Sequence, residues 1–168
     1  MAMLRKAIQF ALDAHGDSVD RGGDLAILHP LAVMLMVGGG TAAKAVAVLH
    51  DVVEDTPVTL EKVRYVFGAE IGDAVDALTR REDIDGCGTK EMYFTYIERV
   101  KKNALATKVK LADIAHNSSP ARLAKLPESE RGITKRYERA RKILTEKPRV
   151  DRRSEYDVYL ATEDESLY

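Results

Sequence analysis

The chain has 168 residues, 45% of them hydrophobic and 32% charged, with 26 basic against 27 acidic side chains and a net charge of −1. A single domain of that length buries about 70% of its unfolded surface, so it needs no staple to build a core, and this composition argues against a disordered chain. The lone Cys87, the balanced charge and the lack of any apolar run near ~20 residues argue against a disulfide framework, a wholly basic nucleic-acid binder and a membrane protein.

The apolar residues repeat with a helical period. Leu4, Ala7, Ile8, Ala11 and Leu12 mark a first amphipathic helix ending near His15–Gly16. A Gly/Asp-rich loop follows over 16–28. Pro30 suits the first turn of a helix running to about Val37, which Gly38-Gly39-Gly40 stops. From Thr41 to Val53 the chain is apolar nearly all round, the pattern of a helix buried at the centre of the fold. Short helices are expected over about 59–67, with Thr59 as N-cap and Gly68 as stop, and over about 69–80. Residues 81–89 read as a loop. Met92, Tyr93, Tyr96, Ile97 and Val100 stripe the next helix, and another covers about 103–116. Ile133, Tyr137, Ala140 and Leu144 lie on a last long helix. No strand alternation or internal repeat is visible, so the expected fold is all-α, a helical bundle. Residues 1–147 form the expected core, and 148–168 an extended segment or short appendage.

Charge is unevenly spread. Arg131 to Arg153 holds ten Lys/Arg against three Asp/Glu, which suits either a solvated helix face or a phosphate-bearing ligand. No signal-peptide pattern opens the chain, so a cytoplasmic location is expected.

At the end of the buried Thr41–Val53 segment the residues change character to His50-Asp51-Val52-Val53-Glu54-Asp55. Three acids and a histidine there need either water or a cation, because burying them unpaired costs several kcal/mol. An exposed, charged helix end and a metal site are both open on this ground alone. A second cluster, Asp113, His116 and Asn117, lies on another largely apolar helix, and His29 stands at a helix start. Each also has a plain structural reading: His29 as a helix-start residue, Asp113 as a partner of Lys110, Asn117 as a C-cap.

Taken together these residues resemble a known family. His29, His50-Asp51 and Asp113 follow the H…HD…D pattern of the HD-domain metal-dependent phosphohydrolases. Leu49-His50-Asp51-Val52-Val53-Glu54-Asp55-Thr56 resembles the LHDVVEDT segment of RelA/SpoT hydrolase domains, and Lys110-Leu111-Ala112-Asp113 with His116-Asn117 resembles KLADxxHN. His15, Asp20-Arg21-Gly22-Gly23 and His29-Pro30 resemble the family's opening segment. The resemblance covers about residues 5–145, without a synthetase domain after it, as in stand-alone small alarmone hydrolases.

It implies an HD-domain helical bundle that hydrolyses the 3′-pyrophosphate of (p)ppGpp-like alarmones of the stringent response. It further implies Mn²⁺ as cofactor on His29, His50, Asp51 and Asp113, although a mixed imidazole/carboxylate set also suits Fe²⁺ or Zn²⁺. Glu54 and Asp55 would be the acid–base pair, with Arg21, Asn117 and Tyr137 contacting a small nucleotide. No membrane or nucleic-acid partner is expected, and the oligomeric state is open. The family's Pro-Tyr before the first ligand histidine is Leu25-Ala26 here, and Ser18 replaces a common Gln. In the family that loop helps shape the nucleotide pocket, so base preference is the property least safely carried over. Rival readings are an HD hydrolase of another nucleotide (ppApp, NADPH or a nucleotide pyrophosphate) and a non-catalytic nucleotide-binding regulatory module. An antitoxin setting would use the same chemistry.

Overall fold

Ten helices carry the described residues, which are 2–82, 89–125 and 132–146 of the computed structural model. They are α1 (Ala2–His15), α2 (Leu28–Met36), α3 (Thr41–Leu49), α4 (Val52–Asp55), α5 (Leu60–Phe67), α6 (Ala69–Leu78), α7 (Tyr93–Lys101), α8 (Ala104–Asn117), α9 (Pro120–Lys125) and α10 (Ile133–Thr145). Among the described residues there is no strand, only an isolated antiparallel bridge between Val19 and Leu25. No helix among them is long and apolar enough to cross a membrane. The expected loop at 81–89 is described only at its two ends, and the expected appendage at 148–168 lies outside the described residues.

The apolar segment becomes α3, and it sits at the centre, against α1, α2, α6 and α8. Ala45, Val46, Ala47, Val48 and Leu49 have no exposed surface. Full burial of a Val or Leu side chain contributes about 1.5–3 kcal/mol, so α3 anchors the bundle through its whole circumference rather than through one stripe. Local signals set the ends of its neighbours. Thr59 Oγ1 accepts the Lys62 amide at 3.2 Å, and Gly68, at φ +86°, ends α5. Asn103 Oδ1 accepts the amides of Leu105 at 3.0 Å and Ala106 at 2.9 Å, starting α8. At Gly72 a Cβ would meet the Arg64 Cα at 3.2 Å, so α6 can approach α5 this closely only with glycine there.

Two expectations are corrected, and one helix is new. The segment Thr41–Val53 is not one helix, because α3 stops at Leu49 and α4 restarts at Val52. In an unbroken helix the Ala47 carbonyl would accept the Asp51 amide. It receives instead the His50 ring, Nδ1 to Ala47 O being 2.8 Å, and the chain turns at Asp51 (φ −99°, ψ −5°). Met92 is not on the buried stripe of α7 but 73% exposed, one residue before the helix. The short α9, entered through Pro120, has no counterpart in the sequence reading; its Arg122 and Lys125 pair with Asp20 and Asp24 of the 16–27 loop.

Candidate metal centre

His29 enters on the first turn of α2, His50 and Asp51 at the α3–α4 break, and Asp113 on the third turn of α8. Their helices pack on one another, so residues far apart in sequence meet at one point. One donor atom each from His29, His50 and Asp51 lies within 4.8 Å of the others, a spacing that could hold a metal ion. His29 Nε2 is 3.4 Å from Asp51 Oδ2 and 3.1 Å from Asp113 Oδ1, while His50 Nε2 is 3.1 Å from Asp51 Oδ1 and 3.8 Å from Asp113 Oδ1. The sequence-predicted set is thus brought together, with Asp113 reaching both imidazoles.

The donor chemistry fits a divalent cation. A carbonyl can only accept, so His50 donates through Nδ1 to Ala47 O and a neutral His50 presents a lone pair at Nε2. That Nε2 is buried and has no hydrogen-bond partner. His29 Nδ1 lies 2.8 Å from His116 Nδ1, where one ring must donate and the other accept; with His29 donating, its Nε2 also presents a lone pair. Such partners of a ligand's remote nitrogen fix ring orientation in metal sites. Burial opposes charge on His50, yet Asp51 and Asp113 outweigh it and lift its pKa to about 9. The pocket therefore calls for positive charge, from a proton or from a metal.

Asp113 is buried, and burial opposes its charge, but Lys110 and the two histidines hold its pKa well below the usual carboxylate range. Lys110 Nζ is 2.7 Å from Asp113 Oδ2, and the Asn117 amide donates to Oδ1 at 2.6 Å. Asp113 does pair with Lys110, through Oδ2, while its Oδ1 faces the two histidines. Asn117 is not the C-cap; Ser118 is.

Glu54 and Asp55 stand exposed on α4 at the rim. Partial desolvation pushes the Glu54 pKa up, against the pull of the Arg80 amide that donates to its Oε1. The Asp55 pKa is raised first by desolvation and then by Asp51. Tyr137 on α10 is half-buried, and its hydroxyl pKa is raised by burial and then by Asp113. Arg21 is exposed in the 16–27 loop, where Asp20 Oδ1 accepts the amides of Gly22 at 2.8 Å and Asp24 at 3.2 Å. The sequence reading assigned no functional role to His116 or His15, and took Lys110 only as a partner of Asp113. His15 ends α1, is buried with both ring nitrogens unpartnered, and has its pKa lowered by burial against the opposing fields of Asp51 and Asp55. Its place in the opening H…DRGG segment was the available signal.

The HD domain family pattern matches residues 7–144. The chain belongs to the HD domain family. This HD domain is 32% identical over 140 residues to a probable guanosine-3′,5′-bis(diphosphate) 3′-pyrophosphohydrolase of Synechocystis sp., covering 79% of this chain and 18% of that protein. It is 32% identical over 123 residues to the GTP pyrophosphokinase rsh of Brucella ovis, covering 69% of this chain and 16% of that one. The chain therefore spans only 16–18% of the length of these curated relatives. A solved structure described as a metazoan ortholog of SpoT that hydrolyzes ppGpp superposes with a TM-score of 0.70, over 98% of this chain and 97% of that one, at 19% identity. That likeness shows the all-α HD fold.

Proposed function

We propose that this HD domain is a metal-dependent hydrolase that releases pyrophosphate from the 3′ position of a (p)ppGpp-like alarmone. The observation that carries this reading is the convergence of His29 Nε2, His50 Nε2 and an Asp51 carboxylate oxygen beside buried Asp113. The name of the Synechocystis relative supplies the substrate class. His29, His50, Asp51 and Asp113 would hold the ion, and Mn²⁺ is the cation we assign.

A bound divalent ion supplies a water acidified toward neutral pH and a Lewis acid for the phosphoryl oxygen. The chain's own residues do the rest. Glu54 and Asp55, whose pKa values desolvation raises, stand where they could take a proton from the attacking water and return one to the leaving oxygen. The Arg80 amide fixes one Glu54 oxygen, leaving the other to work. Asn117, bonded to Asp113, borders the centre and would meet ribose or phosphate. Tyr137, near enough to Asp113 to feel its charge, would contact the nucleotide from α10, and Arg21 would offer a planar cation to a purine face. A nucleotide substrate of this kind is compatible with action in the cytoplasm.

A second reading keeps the chemistry and changes the base. Leu25, standing where relatives of this type carry proline, is 46% exposed on the loop of Arg21 and would alter the base pocket. The test is to incubate the purified chain and Mn²⁺ with ppGpp, ppApp, NADPH, GTP and GDP and identify products. GDP and pyrophosphate from ppGpp, with GTP left intact, is the expected result. Comparable turnover of GTP and ppGpp sinks the alarmone assignment.

A further inference from the structure

Glu54 sits on a four-residue helix whose buried residue is Val52, so its own element does little to fix its carboxylate. An exposed glutamate samples several rotamers. What holds this one is a backbone amide from another part of the chain, Arg80 N–H donating to Glu54 Oε1. The segment around Arg80 is in turn held with unusual completeness. The last carbonyls of a helix have no partner within it, and at the end of α6 they are taken by side chains of α7. Arg99 Nη1 donates to Asp76 O at 2.9 Å and Ala77 O at 3.3 Å, and Nη2 donates to Thr79 O at 2.8 Å. Tyr96 Oη donates to Leu78 O at 2.6 Å.

The same guanidinium grips the other side. Arg99 Nε donates to Glu91 Oε1 at 3.0 Å and Nη2 to Glu91 Oε2 at 2.7 Å, a fork-to-carboxylate pair with Glu91 buried. Glu91 then passes the restraint back. Its Oε2 accepts the Arg81 amide at 3.2 Å, its carbonyl accepts Arg80 Nε at 2.6 Å, and its own amide donates to Arg81 O at 2.9 Å. Residues 79–81 are thus bound on one flank by Arg99 and on the other by Glu91, and the amide they present points at Glu54.

We propose that Arg99 is a positioning residue for the reaction, holding Glu54 in its working geometry through Glu91 and the Arg80 amide. The inference rests on the reading of Glu54 as part of the acid–base pair. Arg99 itself touches no reacting group. A misplacement of about 1 Å in a catalytic group can cost ~10²-fold in rate, so a clamp two contacts away has leverage on turnover.

The test is a double-mutant cycle with an independent readout. Arg99→Lys keeps the charge and loses the fork. With Mn²⁺ and ppGpp, Arg99→Lys should lower kcat by ~10-fold or more with KM nearly unchanged. In a Glu54→Gln background the same substitution should lower kcat by less than ~2-fold, because the group it serves is already disabled. Amide hydrogen exchange on the folded chain without added metal should show the Arg80 amide exchanging ~10-fold or more faster in Arg99→Lys, with the Val48 amide of α3 unchanged. Equal losses of kcat in both backgrounds would overturn the proposal, as would an unchanged Arg80 amide. If the wild-type chain does not turn over ppGpp, the alarmone reading fails, and the amide exchange still decides whether Arg99 holds the Arg80–Glu54 contact.

Discussion

The two halves of the site are built by opposite means. His29, His50 and Asp113 are buried, the first and last on helices packed into the core and His50 directly at the end of α3, so their positions follow from the same apolar contacts that fold the chain. Glu54 and Asp55 stand exposed on the short α4, one of them held by a backbone amide borrowed from residue 80. Groups that must converge on a fixed point are over-determined by packing, whereas groups proposed to move protons stay where water and substrate can reach them. Loss of a core donor should therefore cost binding, and loss of a rim acid should cost rate.

The largest expected effect is His50→Ala, which should abolish stoichiometric Mn²⁺ binding and reduce turnover to background while far-UV circular dichroism keeps its helical signal. Full metal occupancy in that variant would take His50 out of the centre. Next come Glu54→Gln and Asp55→Asn, which keep side-chain size and should lower turnover by about 10²–10⁴-fold with metal content unchanged. Near-wild-type turnover in both would reduce them to a solvated helix end; metal loss in step with activity would move them into the coordination set.

Lys110→Met probes the core half from the other side. It leaves the buried Asp113 carboxylate without the ammonium now 2.7 Å away, and breaking such a pair costs about 3–5 kcal/mol. Urea unfolding in the absence of metal should show that loss, and saturating Mn²⁺ should recover part of it by mass action. A variant equally unstable with and without Mn²⁺ would separate Asp113 from the centre.

Acid titration addresses the clamp behind the rim. Arg99 holds the Glu91 carboxyl below its ordinary pKa of 4.5. A carboxyl depressed in the folded state stabilises the fold above that value and surrenders the contribution as pH falls through the folded pKa. Unfolding measured from pH 6 downward should lose stability in that acid window, and Glu91→Gln should flatten this part of the curve; an unaltered slope would mean that the pair is not formed. The smallest effect is Asn103→Ala, which removes the N-cap of α8 and should cost about 1 kcal/mol in urea unfolding with turnover unchanged.

Much of this was legible in residue order. The all-α fold follows from the helical period, whereas the four candidate donors are picked out by the resemblance to the H…HD…D pattern, since polar residues on an apolar helix leave a charged helix end equally open. What was not legible depends on long-range placement or on backbone. The period of Thr41–Val53 predicts one helix, because hydrophobicity does not register that the His50 ring has taken the Ala47 carbonyl. The His29–His116 contact joins residues 87 apart, and nothing local to either announces it. The group that holds Glu54 is a main-chain amide 26 residues away, which has no side-chain signature at all. Base preference was not legible either, because the loop that departs from the family pattern at Leu25-Ala26 has a composition that says little about its shape.

The halt of α3 at Leu49 has a further meaning for coordination. Consecutive residues of an α-helix diverge by about 100° around its axis, so a continuous helix would send adjacent side chains to different neighbours. Because the chain turns at Asp51, His50 Nε2 and Asp51 Oδ1 come within 3.1 Å of each other. If His50 and Asp51 hold the proposed ion, the dipeptide would serve as a two-toothed chelate, the second donor tethered to the first by a single peptide linkage and so present at high effective concentration. Restoring helical continuity there would keep both donors and lose the bite.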